Sequence, residues 1–211
     1  MPSGVFALSK FVAANPPAGH VVPAPRELID AFDGRLPASL LDLWRRHGLG
    51  RYGPQQICII DPRVWQATLD RWIVSPPDTA QRIPIALTPF GSIIYYRRLT
   101  VADEDVAVLN PHSRSTDVLA WDLDAFFTEV LCDTKQLDQL IPQGWLAAAR
   151  ATHGDLADDE AYEADATLLA MEMLVLKCVE ALDMHKRLRD AVDAPAELRR
   201  DDAVPMPPGE A

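Results

Sequence analysis

Ile83-Pro84-Ile85-Ala86-Leu87-Thr88-Pro89-Phe90-Gly91-Ser92-Ile93-Ile94-Tyr95-Tyr96-Arg97-Arg98 is the stretch that decides the fold class of this 211-residue chain. Ile83 to Leu87 and Ser92 to Arg98 are short apolar runs, and Thr88-Pro89-Phe90-Gly91 between them has turn chemistry, so the pair reads as consecutive strands. Val106 to Leu109 and Val118 to Trp121 add two more strands across the polar turn Asn110-Pro111-His112-Ser113, which makes a β-meander. Asp103-Glu104-Asp105 is read as the loop before the third strand.

Working toward the N-terminus, Asp61-Pro62 predicts a cap and first turn for a helix carrying Val64, Trp65, Thr68, Leu69 and Trp72, ended by Ser75-Pro76-Pro77-Asp78. Gln56 to Ile60 is nearly continuous in apolar character and predicts a buried strand. Gly50 to Pro54 reads as a turn. Leu36-Pro37 opens a helix whose Leu40, Leu41, Leu43 and Trp44 form one apolar face, with Arg45, Arg46 and His47 in the last turn and Gly48 as the stop. Asn15 to Gly19 and Pro23 to Pro25 bracket an extended connector after the apolar segment Val5 to Ala14.

Toward the C-terminus the pattern turns helical. Asp122 or Asp124 can cap a helix bearing Phe126, Phe127, Val130 and Leu131. Leu137 to Ile141 and Trp145 to Thr152 follow, with Gly154 as a stop. The acidic loop Asp155 to Glu160 leads to Tyr162. Met171, Leu174, Val175, Cys178, Leu182, His185, Leu188 and Val192 then recur at three and four residues and predict one closing amphipathic helix. The fold class expected is α+β: a mostly antiparallel sheet flanked by helices, with a long amphipathic helix at the C-terminus.

Charge is divided unevenly along the chain. Residues 1–101 hold 11 Lys and Arg against 7 Asp and Glu, and residues 102–211 hold 9 against 24, which yields the overall net charge of −11. Nucleic-acid affinity comes from neutralising phosphates with Lys and Arg, so the second half opposes it. Arg45, Arg46, Arg51, Arg63 and Arg71 read as the wet faces of two helices. No apolar run approaches the length of a membrane span, and the N-terminus lacks a basic region followed by an apolar stretch and a cleavage site, so neither membrane insertion nor export by that route is expected. Cys58, Cys132 and Cys178 are odd in number and lie in no metal-binding spacing; they read as buried small hydrophobes in a reducing cytoplasm.

The motifs of catalysis find no support in context. Gly48-Leu49-Gly50-Arg51-Tyr52-Gly53 matches a dinucleotide fingerprint by letter, but a helix precedes it and a strand follows, the reverse of what phosphate binding needs. No G-x-S-x-G elbow occurs. His185 lies on the apolar stripe and reads as a hydrogen-bonded core histidine, and His153 sits at a helix C-terminus, where a cation has a structural reason. Asp158-Asp159-Glu160 and Asp103-Glu104-Asp105 could hold a divalent cation, but the calcium-loop pattern is absent. No cofactor or metal is expected, and no enzymatic activity.

Two stretches together resemble a bacterial family. Leu36-Pro37, Leu40-Leu41, Leu43-Trp44, Gly48-Leu49-Gly50, Tyr52-Gly53, Ile60-Asp61-Pro62 and Trp65 resemble the GAD-like domain. Thr88-Pro89-Phe90-Gly91, Phe126-Phe127, Gly154-x-Leu156-x-x-Asp159-Glu160-x-Tyr162 and the closing helix resemble the C-terminal domain of type VI secretion immunity proteins. Asp165 to Met171 departs from that pattern, replacing a proline and a glycine pair. The resemblance implies a GAD-like region over residues 1–80 and the meander and C-terminal helices over 81–192, while the proline-rich composition of residues 193–211 reads as a mobile tail.

It further implies a cytoplasmic immunity protein that binds and neutralises a secreted antibacterial toxin, with a basic nuclease domain as the partner. From charge alone, the candidate contacts are Asp103, Glu104, Asp105, Asp158, Asp159, Glu160 and Glu163. The alternative is a sensor or adaptor module that binds a small ligand or another cellular protein, which a concave site lined by Trp44, Tyr52, Trp65 and Trp72 would favour.

Overall fold

A six-stranded antiparallel meander runs β1 (Gly50–Tyr52), β2 (Ile57–Ile59), β3 (Arg82–Leu87), β4 (Ile93–Arg98), β5 (Glu104–Asn110) and β6 (Ser115–Ala120), each strand bonded to the next in chain order. The computed structural model describes residues 3–19, 21–54, 56–73, 81–164 and 176–193. The helices are α1 (Ser3–Ala14), α2 (Arg26–Phe32), α3 (Ala38–Arg46), α4 (Pro62–Trp72), α5 (Leu123–Ala125), α6 (Thr134–Leu140), α7 (Gln143–His153) and α8 (Ala181–Asp193). α5 continues into a π-helical turn, Phe126–Val130. A separate hairpin pairs β7 (Glu160–Ala164) with β8 (Leu176–Glu180).

Strand periodicity divides the core. Ile94, Tyr96, Val106 and Val108 join one cluster with side chains of α1, α2, α3 and the π-helical turn. Ile93, Tyr95, Ala107 and Leu109 join the other, with Trp65 and Leu69 of α4 and Met184 of α8. Successive side chains point to opposite faces, so a sheet apolar on both must be covered on both. A register shift between Pro84 and Ala86 lets Ile83, Ile85 and Ala86 all serve the first cluster before Leu87 turns to the second. The sheet crosses the division at residues 80/81, since Cys58 pairs with Leu87 and Ile59 with Ala86.

Several local expectations hold. Leu40, Leu41, Leu43 and Trp44 are buried along α3, whose N-cap is Pro37. Asp61 caps α4 by accepting from the Arg63 amide, with Pro62 in the first turn. Trp65 and Leu69 of that helix are buried, while Val64 is exposed. Asp122, not Asp124, caps α5, accepting from the Ala125 amide at 2.6 Å.

Others are corrected. The segment from Val5 to Ala14 lies within a helix, α1, and Arg26–Phe32 is a helix that the proline-rich surroundings concealed. Gly50 to Tyr52 is a strand rather than a turn, and the connector before it runs alongside: Val22 and Leu49 exchange backbone bonds of 2.8 and 2.7 Å, and Ala18 donates to the Arg51 carbonyl. Gly48, at φ +85°, permits this approach, because a Cβ there would stand 2.6 Å from the Val22 carbonyl oxygen. Glu104 and Asp105 are in β5, not in the loop before it.

The closing helix is shorter than its periodicity suggested. Leu176 to Glu180 form β8, paired with β7 from Ala164↔Leu176 to Glu160↔Glu180, and among the described residues of this stretch Ala181–Asp193 are helical. Glu180 ends the strand and starts the helix, its carboxylate accepting from the Leu182 and Asp183 amides. Cys178 therefore lies on a strand. Met171, Leu174, Val175, the Asp165 to Met171 departure, Ser75 to Asp78 and the tail from residue 194 lie outside the described residues. Among the described residues, no helix is long and apolar enough to cross a membrane.

Candidate functional site

A groove of ≈ 290 Å³ opens where β2, the start of α4, the 155–160 loop and the β8–α8 junction meet. Its apolar lining includes Val22, Leu49, Ile60, Val64, Trp65 and Leu182, and its acidic residues are Asp61, Asp158, Asp159 and Glu180. Val22 and Val64 are 46% and 54% exposed, so apolar surface continues out of the groove to solvent.

One buried cation organises the loop beside it. Arg51, on β1, is only 2% exposed and donates to the carbonyls of Gln56 and Ala157 at 2.9 Å each, and to that of Glu160. These are charge-assisted bonds to backbone oxygens, and the Ala157 carbonyl also accepts from the Glu160 amide at 3.2 Å. Gln56, held at φ +54°, donates to Asp155 at 2.8 Å and accepts from the Leu156 amide at 2.9 Å. Arg150 also reaches Asp155, at 2.7 Å. The Asp158 carbonyl accepts from the Cys58 thiol, and the Asp159 carbonyl from the Ala181 amide at 2.8 Å. The loop is thereby tied to β1, β2, α7 and α8.

The same network sorts the groove carboxylates. Asp61 caps α4 and chelates Arg63 at 2.6 Å. Glu180 caps α8, and Glu160 turns back to accept from the Ala157 amide at 2.8 Å. Asp158 and Asp159 are exposed, and neither carboxylate has a hydrogen bond or ion pair among the described residues.

The remaining expected contacts lie elsewhere. Asp105 is 1% exposed and is clasped by Arg97 through two bonds of 2.7 and 2.5 Å, so it offers no surface to a partner. Hydrogen bonding to Asp105 strengthens the hold of Arg97 on its proton. Glu104 is half-buried, accepting from the Tyr96 hydroxyl at 2.6 Å and the Leu123 amide at 3.1 Å. Burial first, and this carboxylate second, push the Tyr96 hydroxyl up to about 12. Asp103 is exposed but closes the β4–β5 turn with the Thr100 hydroxyl at 2.8 Å. Glu163 is half-buried and paired with Arg187 at 2.7 Å. Of the seven residues, Asp158 and Asp159 combine exposure with an unengaged carboxylate.

The four aromatic residues proposed to line one concavity do not converge. Trp44 and Tyr52 are fully buried in the first core cluster, Trp65 borders the groove, and Trp72 belongs to the α4–α8 seam. In that seam His185 is buried, accepting at Nδ1 from Trp72 Nε1 at 3.0 Å and bonding through Nε2 to the Gly91 carbonyl at 2.7 Å. The Nε2 bond assigns the proton to that nitrogen, which makes His185 the core histidine its position implied. Burial pushes its pKa down to about 4. Gly91 sits at φ +76°, a left-handed conformation that residues with side chains rarely adopt, which explains the glycine in the Thr88–Gly91 turn. His153 bonds to the Leu176 carbonyl at 2.8 Å.

Cys58 is buried and its thiol pushed up to about 12 by burial, while Cys132 and Cys178 are half-buried with thiols also raised by burial. Among the described residues, no group of three or more His, Cys, Asp or Glu is arranged to hold a metal ion. Arg45, Arg46, Arg63 and Arg71 are exposed, as expected of helix faces, but Arg51 is not. The sequence signal for Arg51 was its place inside Gly50-Arg51-Tyr52: a cation within a strand of a covered sheet must find internal acceptors.

No curated protein sequence matches the chain at a significant level. The fold is similar to the crystal structure of Atu4351 from Agrobacterium tumefaciens, with a TM-score of 0.63 at 12% identity over 86% of this chain and 88% of that one. At that identity the likeness is one of fold. Residues 7–109, from α1 into β5, match the GAD-like domain family, and the motif residues from Leu36 to Trp65 lie inside that match.

Proposed function

We infer that this protein is a cytoplasmic immunity protein that binds and neutralises a basic secreted toxin, a nuclease effector of a type VI secretion system. The observation that carries this reading is the groove bordered by Asp158 and Asp159, whose backbone is held from several sides while their carboxylates stay open to solvent. A preorganised acidic lip loses little conformational freedom on binding and steers a basic partner toward itself. The GAD-like match over residues 7–109 supports the GAD-like part of the resemblance. The strongly acidic second half of the chain fits a partner whose own site is built for phosphates.

The test is a pull-down with the full chain as bait from its source cells, with mass spectrometry, followed by a growth assay in which the captured partner is expressed with and without this protein. Capture of one basic secreted protein whose toxicity the chain suppresses is the expected result. A folded bait that captures no such protein, or a captured protein whose toxicity is unaffected, overturns the reading.

A further inference from the structure

We propose that the groove receives a single lysine or arginine side chain carried on a loop of the partner, its aliphatic stem lying against Val22, Val64 and Trp65 and its charged head between Asp158 and Asp159. The space selects the size of the occupant. At ≈ 290 Å³ it lies at the lower limit of small-molecule sites and suits one long side chain rather than a cofactor or a helix. The lining selects the chemistry, because a long basic side chain covers apolar surface with its methylenes while keeping its charge at the wet end. An apolar side chain there would strip water from two neighbouring carboxylates and give nothing in return.

The other two groove carboxylates do not compete, since Asp61 is neutralised by Arg63 and Glu180 is spent on the α8 amides. Val22 and Val64, exposed at the opening, offer apolar contact to the residues flanking the cation on the partner's loop. The same two-part surface, apolar support and paired acids, would hold lysine and arginine alike, with arginine favoured where its fork can span both aspartates.

This inference rests on the protein-binding reading, and the two can fail separately. The test is NMR titration of the 15N-labelled full chain with Nα-acetyl-arginine methylamide, Nα-acetyl-lysine methylamide and their uncharged isostere Nα-acetyl-norleucine methylamide. The expected result is saturable shifts confined to amides of Gly50, Ile60, Val64, Asp158 and Asp159, with the cationic probes binding roughly fivefold tighter than norleucine, as one exposed ion pair allows. Asp158→Asn with Asp159→Asn should remove that preference, while Asp103→Asn, an exposed acid outside the groove, should leave it intact. Equal binding of norleucine, shifts spread over all acidic surface, a preference that survives the double substitution, or groove shifts produced by raising protein concentration alone would each overturn the proposal. A captured toxin whose affinity ignores the double substitution sinks the groove and spares the immunity reading. Groove binding of the cationic probes with no toxin captured does the reverse.

Discussion

Asp103-Glu104-Asp105 and Asp158-Asp159-Glu160 have almost the same composition and meet different fates. In the first, the sheet takes up the charge: Asp105 is buried against Arg97, and Glu104 joins Tyr96 to the start of α5. In the second, the backbone is taken up and the charge is left over: carbonyls of Ala157 and Glu160 are bound by Arg51, that of Asp159 by α8, and the Asp158 and Asp159 carboxylates face water. The difference teaches that an acidic run becomes architecture where its side chains meet cations. It becomes an available surface where its main chain does the anchoring.

The largest test of this contrast is Arg51→Met, which keeps most of the stem and removes the guanidinium bonds to the carbonyls of Gln56, Ala157 and Glu160. It should destabilise the chain by about 4 kcal/mol, the order expected when several hydrogen bonds to one charged group are lost together, and it should speed hydrogen exchange across residues 155–160 first. Urea unfolding and exchange mass spectrometry measure the two effects; a loss below about 1 kcal/mol would mean the second triplet is held by something else.

Acidification probes the second triplet from behind, through α8. His185 stays neutral in the folded protein down to about 4, whereas its unfolded counterpart takes a proton near 6.5. Stability from this group is therefore complete above pH 6.5, falls as pH drops through the window to 4, and is gone below it. The total is about 3 kcal/mol at 1.36 kcal/mol per pKa unit. His185→Gln should flatten the pH dependence of unfolding by about one proton in that window; an unchanged slope would show that the Trp72–His185–Gly91 link does not titrate.

Asp105→Asn sharpens the other side of the comparison. Arg97 loses its charged partner but is partly open to solvent, with 23% of its side chain exposed, so the cost should be about 2 kcal/mol rather than that of a fully buried pair. Asp158→Asn combined with Asp159→Asn should change stability by less than about 0.5 kcal/mol, because no described group pairs with either carboxylate. Equal costs for the two sets of substitutions, read from unfolding midpoints, would erase the distinction between the triplets.

How much of this was legible depended on whether the controlling interaction was local. The α3 face of Leu40, Leu41, Leu43 and Trp44, the Asp61-Pro62 start of α4 and the meander from Ile83 to Leu109 follow from spacing, capping and turn chemistry within a few residues. The C-terminal helix was overextended because Leu176 to Glu180 carry a helical spacing that pairing with β7 overrides. At the site, the acidic loop was visible as charge. What singled out Asp158 and Asp159 was not visible, since the partners that occupy Asp155, Glu160, Asp105 and Glu163 come from Gln56 and Arg150, a loop amide, Arg97 and Arg187.

By itself the amino-acid sequence determined that this chain forms an antiparallel meander sheathed by amphipathic helices, and that its second half is strongly acidic. Hydrophobic period and turn residues act over a few positions, and charge simply adds. Only the tertiary structure decided which acids are spent. Arg51 and the 155–160 loop lie more than a hundred positions apart, and no local pattern records that a buried guanidinium would claim the loop's carbonyls and leave two aspartates beside an apolar groove.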